Sequence, residues 1–162
     1  MVNITLKQNK KSIMQVKVKI LDPKAVIPVK SHDDDFCYDL TAVSCTELAP
    51  GVYRYGFGIA LQLKEEDDDS IVTGFTIRPR SSVWNTGMVL SNSIGTIDRG
   101  YTGEISAVFY HVLPSMPRYQ VGDRIAQIHF DFTARNLEFK AVRELDKTER
   151  GEGGYGSTNK QR

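Results

Sequence analysis

The sequence has no long hydrophobic run, few cysteines and almost no net charge. No apolar stretch approaches the roughly 18 residues that span a bilayer, and no secretory signal peptide is recognisable. The formal net charge of +1 over 162 residues argues against a nucleic-acid coat or a membrane-surface protein. Two cysteines, Cys37 and Cys45, are too few for a disulfide framework. We therefore expect a cytoplasmic protein, in the host cytosol if its source is viral, with no nucleic-acid or membrane partner.

Helical periodicity is also scarce. Residues 16–20 alternate strictly, with Val16, Val18 and Ile20 on one face, which predicts a half-buried strand. Short strand-like runs, the last of them at residues 137–142, recur between turn signals. Only residues 81–87 suggest a short helical turn, with Ser81 or Ser82 as its cap and Gly87 closing it. The sequence therefore predicts one all-β domain, folded as a sandwich, jelly roll or barrel.

Residues 91–101 lie between the apolar runs 88–90 and 105–110, so they are interpreted as the turn region of a β-hairpin. Such a hairpin can present backbone N–H and C=O groups to a flat polar ligand, and Asn92 adds a side-chain donor and acceptor. Asp98 is placed to act as a positioned base. The alternative is an ordinary turn in which Asp and Gly supply geometry alone.

Two further segments carry anion-binding chemistry. Arg80, Ser81 and Ser82 combine a guanidinium with a helix start, and the alternative is a surface arginine beside a capping serine. The glycine-rich segment 150–160 offers backbone and hydroxyl donors that can wrap a polyphosphate, with Tyr155 free to lie on a planar base. Its alternative is a disordered tail. The acidic run at 33–35 is interpreted as a solvated loop, with metal binding as the alternative, and the run at 65–69 is interpreted as a second solvated loop.

Five segments, in order and at fitting separations, resemble the five motifs of the trimeric dUTP pyrophosphatases. They are residues 36–42 (FCYDLTA), 78–82 (RPRSS), 92–103 (NSIGTIDRGYTG), 122–127 (GDRIAQ) and 150–158 (RGEGGYGST). The likeness extends over about residues 14–160. Each motif alone is a modest signal, but five in register are a strong one.

The resemblance implies a distorted β-barrel or jelly roll with at most one short helix, assembled as a homotrimer whose active sites are shared between subunits. Residues 14–146 would be the barrel domain, residues 1–13 a loose N-terminal extension, and residues 147–162 a flexible arm that closes an active site. The implied reaction is hydrolysis of dUTP to dUMP and pyrophosphate, which keeps uracil out of DNA. Asp98 would activate the water that attacks the α-phosphorus. Mg²⁺ would be chelated mostly by the triphosphate, with Asp39 acting through metal-bound water.

The same resemblance assigns the substrate contacts. Uracil would meet Asn92 and the backbone of Gly95, Thr96 and Ile97, while Tyr101 would lie under the deoxyribose and exclude a 2′-hydroxyl. A pocket built for uracil's hydrogen-bonding edge leaves polar groups unpaired against cytosine. The remaining contacts, to the phosphates and from the closing arm, would come from Arg80, Ser81, Ser82, Gln127, Arg150, Tyr155, Gly156, Ser157 and Thr158.

Three positions depart from the family pattern, because Cys37, Ser82 and Asn159 stand where the family usually has glycine. None removes a group that performs chemistry. The nearest rival is dCTP deaminase, a similar fold that places a glutamate where Val108 stands in this chain, and valine cannot move protons. The other rival is a nucleotide-binding regulator without turnover, against which the intact Asp98 argues.

Overall fold

The computed structural model describes residues 16–63, 71–134 and 140–144. Within them the chain forms ten strands and one short 3₁₀ turn. These are β1 (Val16–Ile20), β2 (Tyr38–Thr41), β3 (Ser44–Ala49), β4 (Val52–Gly56), β5 (Ile59–Leu63), β6 (Ile71–Pro79), the 3₁₀ turn (Ser81–Asn85), β7 (Met88–Leu90), β8 (Gly95–Ile97), β9 (Ser106–His111) and β10 (Arg124–Ala134). In this part of the chain, no helix has the length and apolar character needed to cross a membrane. The predicted extension 1–13 and arm 147–162 lie outside the described residues.

Two four-stranded antiparallel sheets enclose the core. The first has the order β2-β10-β6-β8 and the second β3-β4-β9-β7, while β1 and β5 form a separate two-stranded ribbon. Large side chains from both sheets are buried between them, including Leu40, Ile77 and Ile128 from the first and Tyr55 and Phe109 from the second. Eight strands in two such sheets form a jelly roll. The predicted all-β class, with one short helical turn among the described residues, is confirmed.

The alternating pattern at the start of the described chain forms the expected strand. Val16 and Val18 pack against the core, and the intervening lysines are exposed. Ile20 departs from the prediction because its side chain is 48% exposed. Strand β1 ends there, and the chain turns at Asp22, whose backbone N–H bonds to the Gly58 carbonyl.

The interpretation of residues 91–101 as the turn region of a β-hairpin is confirmed for the flanking strands but is incomplete for the segment between them. Strands β7 and β9 do pair as a hairpin, with Leu90 opposite Phe109. The chain between them, however, leaves that sheet and forms β8, which pairs with β6 in the other sheet. A left-handed residue, Ser93 at φ 60°, lies where the chain changes direction. A three-residue strand has too little alternation for the sequence to reveal it.

The short helical turn is present at Ser81–Asn85, but its predicted caps are wrong. The residue that precedes it is Arg80, and no side chain caps the turn. Thr86, rather than Gly87, closes it through hydrogen bonds from its backbone N–H and its hydroxyl to the Val83 carbonyl. Gly87 is required for a different reason, since a Cβ there would collide with the Leu113 carbonyl.

Strands β2 and β3 were not anticipated by the sequence patterns, and the predicted strand at 137–142 is not supported. Residues 135–139 lie outside the described part, and residues 140–142 are not in a strand. Strand β10 instead runs from Arg124 to Ala134, paired along its length with β6 and at its start with β2. This long central strand places the β2 edge and the β6 end side by side.

Two buried tyrosines give a test of the core. The Tyr55 hydroxyl donates to the Tyr119 carbonyl over 2.8 Å, and burial raises its pKa to about 12. The buried Tyr119 hydroxyl has no hydrogen-bond partner among the described residues. We predict that Tyr55→Phe lowers the free energy of unfolding by about 1–3 kcal/mol, because a buried carbonyl loses its donor. Tyr119→Phe should be neutral or stabilising. Denaturant unfolding checks both, and equal losses in the two variants would contradict the assignment.

Candidate active site

A carboxylate held between two guanidinium groups lies at the centre of a polar cleft. Asp39 on β2 has a side chain only 10% exposed. Its Oδ1 lies 2.8 Å from Nε of Arg80, and its Oδ2 lies 2.8 Å from Nη1 of Arg124. Charge-assisted hydrogen bonds of this length are strong, so the three side chains hold one another in fixed positions.

The register of the first sheet explains why these side chains meet. Asp39 lies opposite Gln127, and Gln127 lies opposite Arg78, so the three occupy one row across β2, β10 and β6. The amide nitrogen of Gln127 donates to the Pro79 carbonyl over 3.0 Å, which fixes the end of β6 just before Arg80. The resulting cleft has a volume of ≈ 640 Å³. It is lined by Ser31, His32, Asp35, Phe36, Cys37, Asp39, Arg80, Ser81, Arg124 and Gln127.

The two serines after Arg80 take different positions. Ser81 is exposed and lines the cleft. Ser82 is half-buried near the Tyr119 hydroxyl but does not form a hydrogen bond with it, and burial raises the pKa of Tyr119. Of this pair, Ser81 is therefore the residue that lines the cleft.

The second group of predicted residues lies on and beyond β8. The Asn92 side chain packs against Gly95. A Cβ on Gly95 would come within 3.2 Å of the side-chain nitrogen of Asn92. Gly95, Thr96 and Ile97 form the edge strand of the first sheet, so part of their backbone faces away from it. Asp98 follows directly and is exposed. Its carbonyl accepts a hydrogen bond from the Tyr101 backbone N–H over 2.9 Å.

The two groups lie at opposite edges of the same sheet. Strand β2 and strand β8 are the outer members of the order β2-β10-β6-β8. Three inter-strand steps separate them by about 14 Å across the sheet. Along β6, the Arg78 row lies three residues from the Phe75–Ile97 pair, which adds about 10 Å. A single copy of the chain therefore does not bring Asp98 to the cleft.

The sequence analysis assigned no role to six of the ten residues that line the cleft, and two of these six, Arg124 and Ser31, bond directly to Asp39. Arg124 lay within a quoted motif but was not assigned a role, and its Nη1 also bonds to the Ser31 hydroxyl over 2.7 Å. Ser31 reaches the cleft because Val29 bridges to Asp39, which brings the preceding loop across β2. No local pattern signals that approach. The predicted arm residues Arg150, Tyr155, Gly156, Ser157 and Thr158 lie outside the described residues.

The described residues do not include a cluster of three or more His, Cys, Asp or Glu side chains that could hold a metal ion. Both Asp39 oxygens are occupied by guanidinium groups, and Oδ2 also accepts from Ser31. Asp39 could therefore contact a metal only through water. This donor set suits a cation that is carried by the oxygens of a bound polyphosphate.

The fold and the cleft define a jelly-roll protein with a guanidinium-lined polar pocket. A family model described as dUTPase matches residues 23–159. The deoxyuridine 5'-triphosphate nucleotidohydrolase of Helicobacter pylori is 34% identical over 149 residues, which cover 90% of this chain and 97% of the relative. That of Corynebacterium diphtheriae is 37% identical over 147 residues, covering 88% and 91%. The chain belongs to the dUTPase family.

Solved structures of low identity show the same fold. The dUTPase of Staphylococcus bacteriophage 80alpha, determined with dUPNHPP, matches with a TM-score of 0.69 and 24% identity over 88% of this chain and 97% of that one. A mutant dUTPase from phage phi11 of S. aureus, whose structure reveals the coordination of a structural Mg(II) ion, matches with a TM-score of 0.64 and 20% identity. It covers 82% of this chain and 99% of its own.

The single tryptophan provides a reporter for the cleft. Trp84 is 74% exposed and lies in the 3₁₀ turn that begins at Ser81. We predict that inorganic tripolyphosphate changes Trp84 fluorescence, and that Arg80→Gln weakens the apparent affinity by about tenfold or more because a charged donor is lost. Arg54→Gln, an exposed arginine on β4 of the other sheet, is the matched control. Equal titrations for the two variants would contradict a phosphate site at Arg80.

Proposed function

We propose that this chain hydrolyses dUTP to dUMP and pyrophosphate, as a dUTP diphosphatase of nucleotide metabolism. The observation that carries the proposal is the Asp39–Arg80–Arg124 cleft, in a chain whose family membership rests on nearly its whole length. Its curated relatives are named for the same substrate.

The cleft supplies the phosphate contacts. Arg80 uses Nε for Asp39 and Arg124 uses Nη1, so each guanidinium keeps further N–H donors for a second anion. Their side chains are 28% and 49% exposed, which leaves them accessible from solvent. Ser81 and Gln127 complete this set, and Ser81 is placed to assist the leaving oxygen. Preorganised donors of this kind stabilise charge without rearrangement during the reaction.

The β8 edge supplies the base and sugar contacts. The Asn92 amide and the outward backbone groups of Gly95, Thr96 and Ile97 offer donors and acceptors that suit uracil. Tyr101 forms the floor of the deoxyribose site. Asp98 accepts the proton of the water that attacks the α-phosphorus, and pyrophosphate leaves on the opposite side.

Mg²⁺ neutralises phosphate charge when it is bound, and it would be held by the triphosphate with Asp39 contacting its water shell. A neighbour of the same fold contains a structural Mg(II) ion. The arm residues Arg150, Ser157 and Thr158 would close on the γ-phosphate, with Tyr155 stacked on uracil and Gly156 allowing the close approach. Free cysteines Cys37 and Cys45 suit the reducing cytoplasm, where we place the protein.

The separation of the two groups supports a homotrimer with shared sites. The phosphate cleft and the β8 edge are far apart in one copy, yet both must contact one nucleotide. A cyclic assembly brings one edge of each copy to the opposite edge of the next. Each site would then combine the cleft of one subunit with the Asp98 loop of another.

The geometry does not favour the deaminase alternative. Val108 lies on β9 opposite Arg54, in the second sheet. It is not among the residues that line the cleft and it does not lie on β8. An assay of pyrophosphate release distinguishes a dUTP-hydrolysing enzyme from a nucleotide-binding regulator without turnover.

The reaction is tested by pyrophosphate release from dUTP, dCTP, dTTP and UTP, with ammonia followed in the same samples. We expect release from dUTP alone. Asp98→Asn keeps the size of the side chain but removes its basicity, so kcat should fall by about 10²-fold or more while dUTP still binds. Asp34→Asn, in an exposed turn, is the control. Ammonia from dCTP would indicate the deaminase, and dUTP binding without turnover would indicate a regulator.

Shared sites are tested by mixing two inactive variants. Arg80→Gln and Asp98→Asn subunits, unfolded together and refolded at equal amounts, should recover about a quarter of the wild-type activity, since each site draws its two halves at random from different copies. The separately refolded variants are the controls. No recovery in mixed trimers would contradict sites shared between subunits.

A further inference from the structure

The loop between β8 and the buried Ile105 is joined to the rest of the molecule through Glu104. One carboxylate oxygen of Glu104 accepts a hydrogen bond from the Gly58 backbone N–H over 3.1 Å. The Glu104 carbonyl accepts a hydrogen bond from the Tyr101 hydroxyl over 3.0 Å. Among the described residues, the bond from Gly58 to Glu104 is the one hydrogen bond that joins a side chain of residues 98–104 to another part of the molecule. Glu104 therefore connects Tyr101 to the turn between β4 and β5.

The β4–β5 turn has a shape that receives this carboxylate. A Cβ on Gly56 would come within 2.5 Å of the same Glu104 oxygen, so the carboxylate occupies the space that glycine leaves open. Gly58 has φ +65°, a conformation that glycine adopts without strain and that directs its N–H toward Glu104. Gly56 thus leaves room for the Glu104 carboxylate, and Gly58 donates a hydrogen bond to it.

The Tyr101 ring is held by contact with Gly103 as well as by the hydrogen bond of its hydroxyl. A Cβ on Gly103 would lie 2.5 Å from the Tyr101 hydroxyl oxygen and 2.7 Å from the adjoining ring carbon. The ring therefore lies directly over the Gly103 backbone, with its hydroxyl bonded to the next residue. Its position depends on where Gly103 and Glu104 are held.

We propose that Glu104 is a positioning residue for sugar selection. Its hydrogen bond with Gly58 holds the backbone of residues 103–104 in place, and this fixes the Tyr101 ring in the position that admits a deoxyribose and rejects a 2′-hydroxyl. This inference rests on the proposed function, in which Tyr101 contacts the sugar. Glu104 touches neither substrate nor reacting atoms in this scheme. Its loss should therefore change the preference between dUTP and UTP.

The test compares kcat/KM for dUTP and UTP in Glu104→Ala, Glu104→Gln and Gly103→Ala, together with their melting temperatures. Glu47→Ala is the matched control, because the Glu47 carboxylate accepts the Gly51 N–H over 3.2 Å in another glycine turn. That turn lies between β3 and β4, away from residues 98–104.

We expect Glu104→Ala to lower the dUTP/UTP preference by about tenfold or more, which corresponds to losing one hydrogen bond to a charged acceptor. Glu104→Gln should restore it, since the amide oxygen can accept from Gly58. Gly103→Ala should lower it as well, because the added methyl displaces the Tyr101 ring. Glu47→Ala should lose comparable stability and keep the wild-type preference.

The inference is overturned if Glu104→Ala keeps the wild-type preference, or if it loses activity on both nucleotides by the same factor with a lower melting temperature. Loss of preference in Gly103→Ala alone would also overturn it, since Tyr101 would then be held without Glu104. A wild-type protein that does not hydrolyse dUTP would instead refute the proposed function, and this inference with it.

Discussion

The ion pairs of Asp39 with Arg80 and Arg124 hold together the parts of the chain on which the phosphate cleft depends. Asp39 lies on β2, Arg124 begins β10 and Arg80 follows β6, so one carboxylate connects three strands. A charged group this little exposed is costly unless it is paired and hydrogen-bonded, and here both oxygens are. The arrangement keeps two guanidinium groups in place before any ligand arrives. That is the condition under which charged donors contribute most to binding and catalysis.

The same sheet that builds the cleft keeps it away from the β8 edge, to which the proposed function assigns the base and sugar contacts. Strands β10 and β6 are the two central members, and their side chains are packed against the core on one face. Such a packed sheet does not bend enough to bring its edges together. The separation of the cleft from the β8 edge therefore follows from the topology. The outer edge of β8 is open because no strand of the described chain covers it.

The sequence identified several residues that line the cleft, but it did not predict their positions relative to one another. Short motifs with fixed spacing pointed to Arg80, Ser81, Gln127 and Asp98, because local residue types carry that information. Arg124 and Ser31 are 93 positions apart and meet only through the folding of the chain. Strand β8 was missed for a related reason, since three residues carry no usable periodicity and its partner is β6 in the other sheet. Long-range pairing decided each of these features.

Two of the three departures from the family pattern, Cys37 and Ser82, lie in the described residues, and neither adds a negative charge near the cleft. Cys37 lines the cleft, and burial raises the pKa of its thiol, so the group stays neutral at physiological pH despite the nearby Arg78 and Lys30. An acidic side chain at this position would instead compete with the ligand for the guanidinium groups. Ser82 lies beside the buried Tyr119, and Ser81 remains the serine that lines the cleft. Serine and cysteine at these two positions therefore add bulk and polarity but no negative charge beside the guanidinium groups of the cleft.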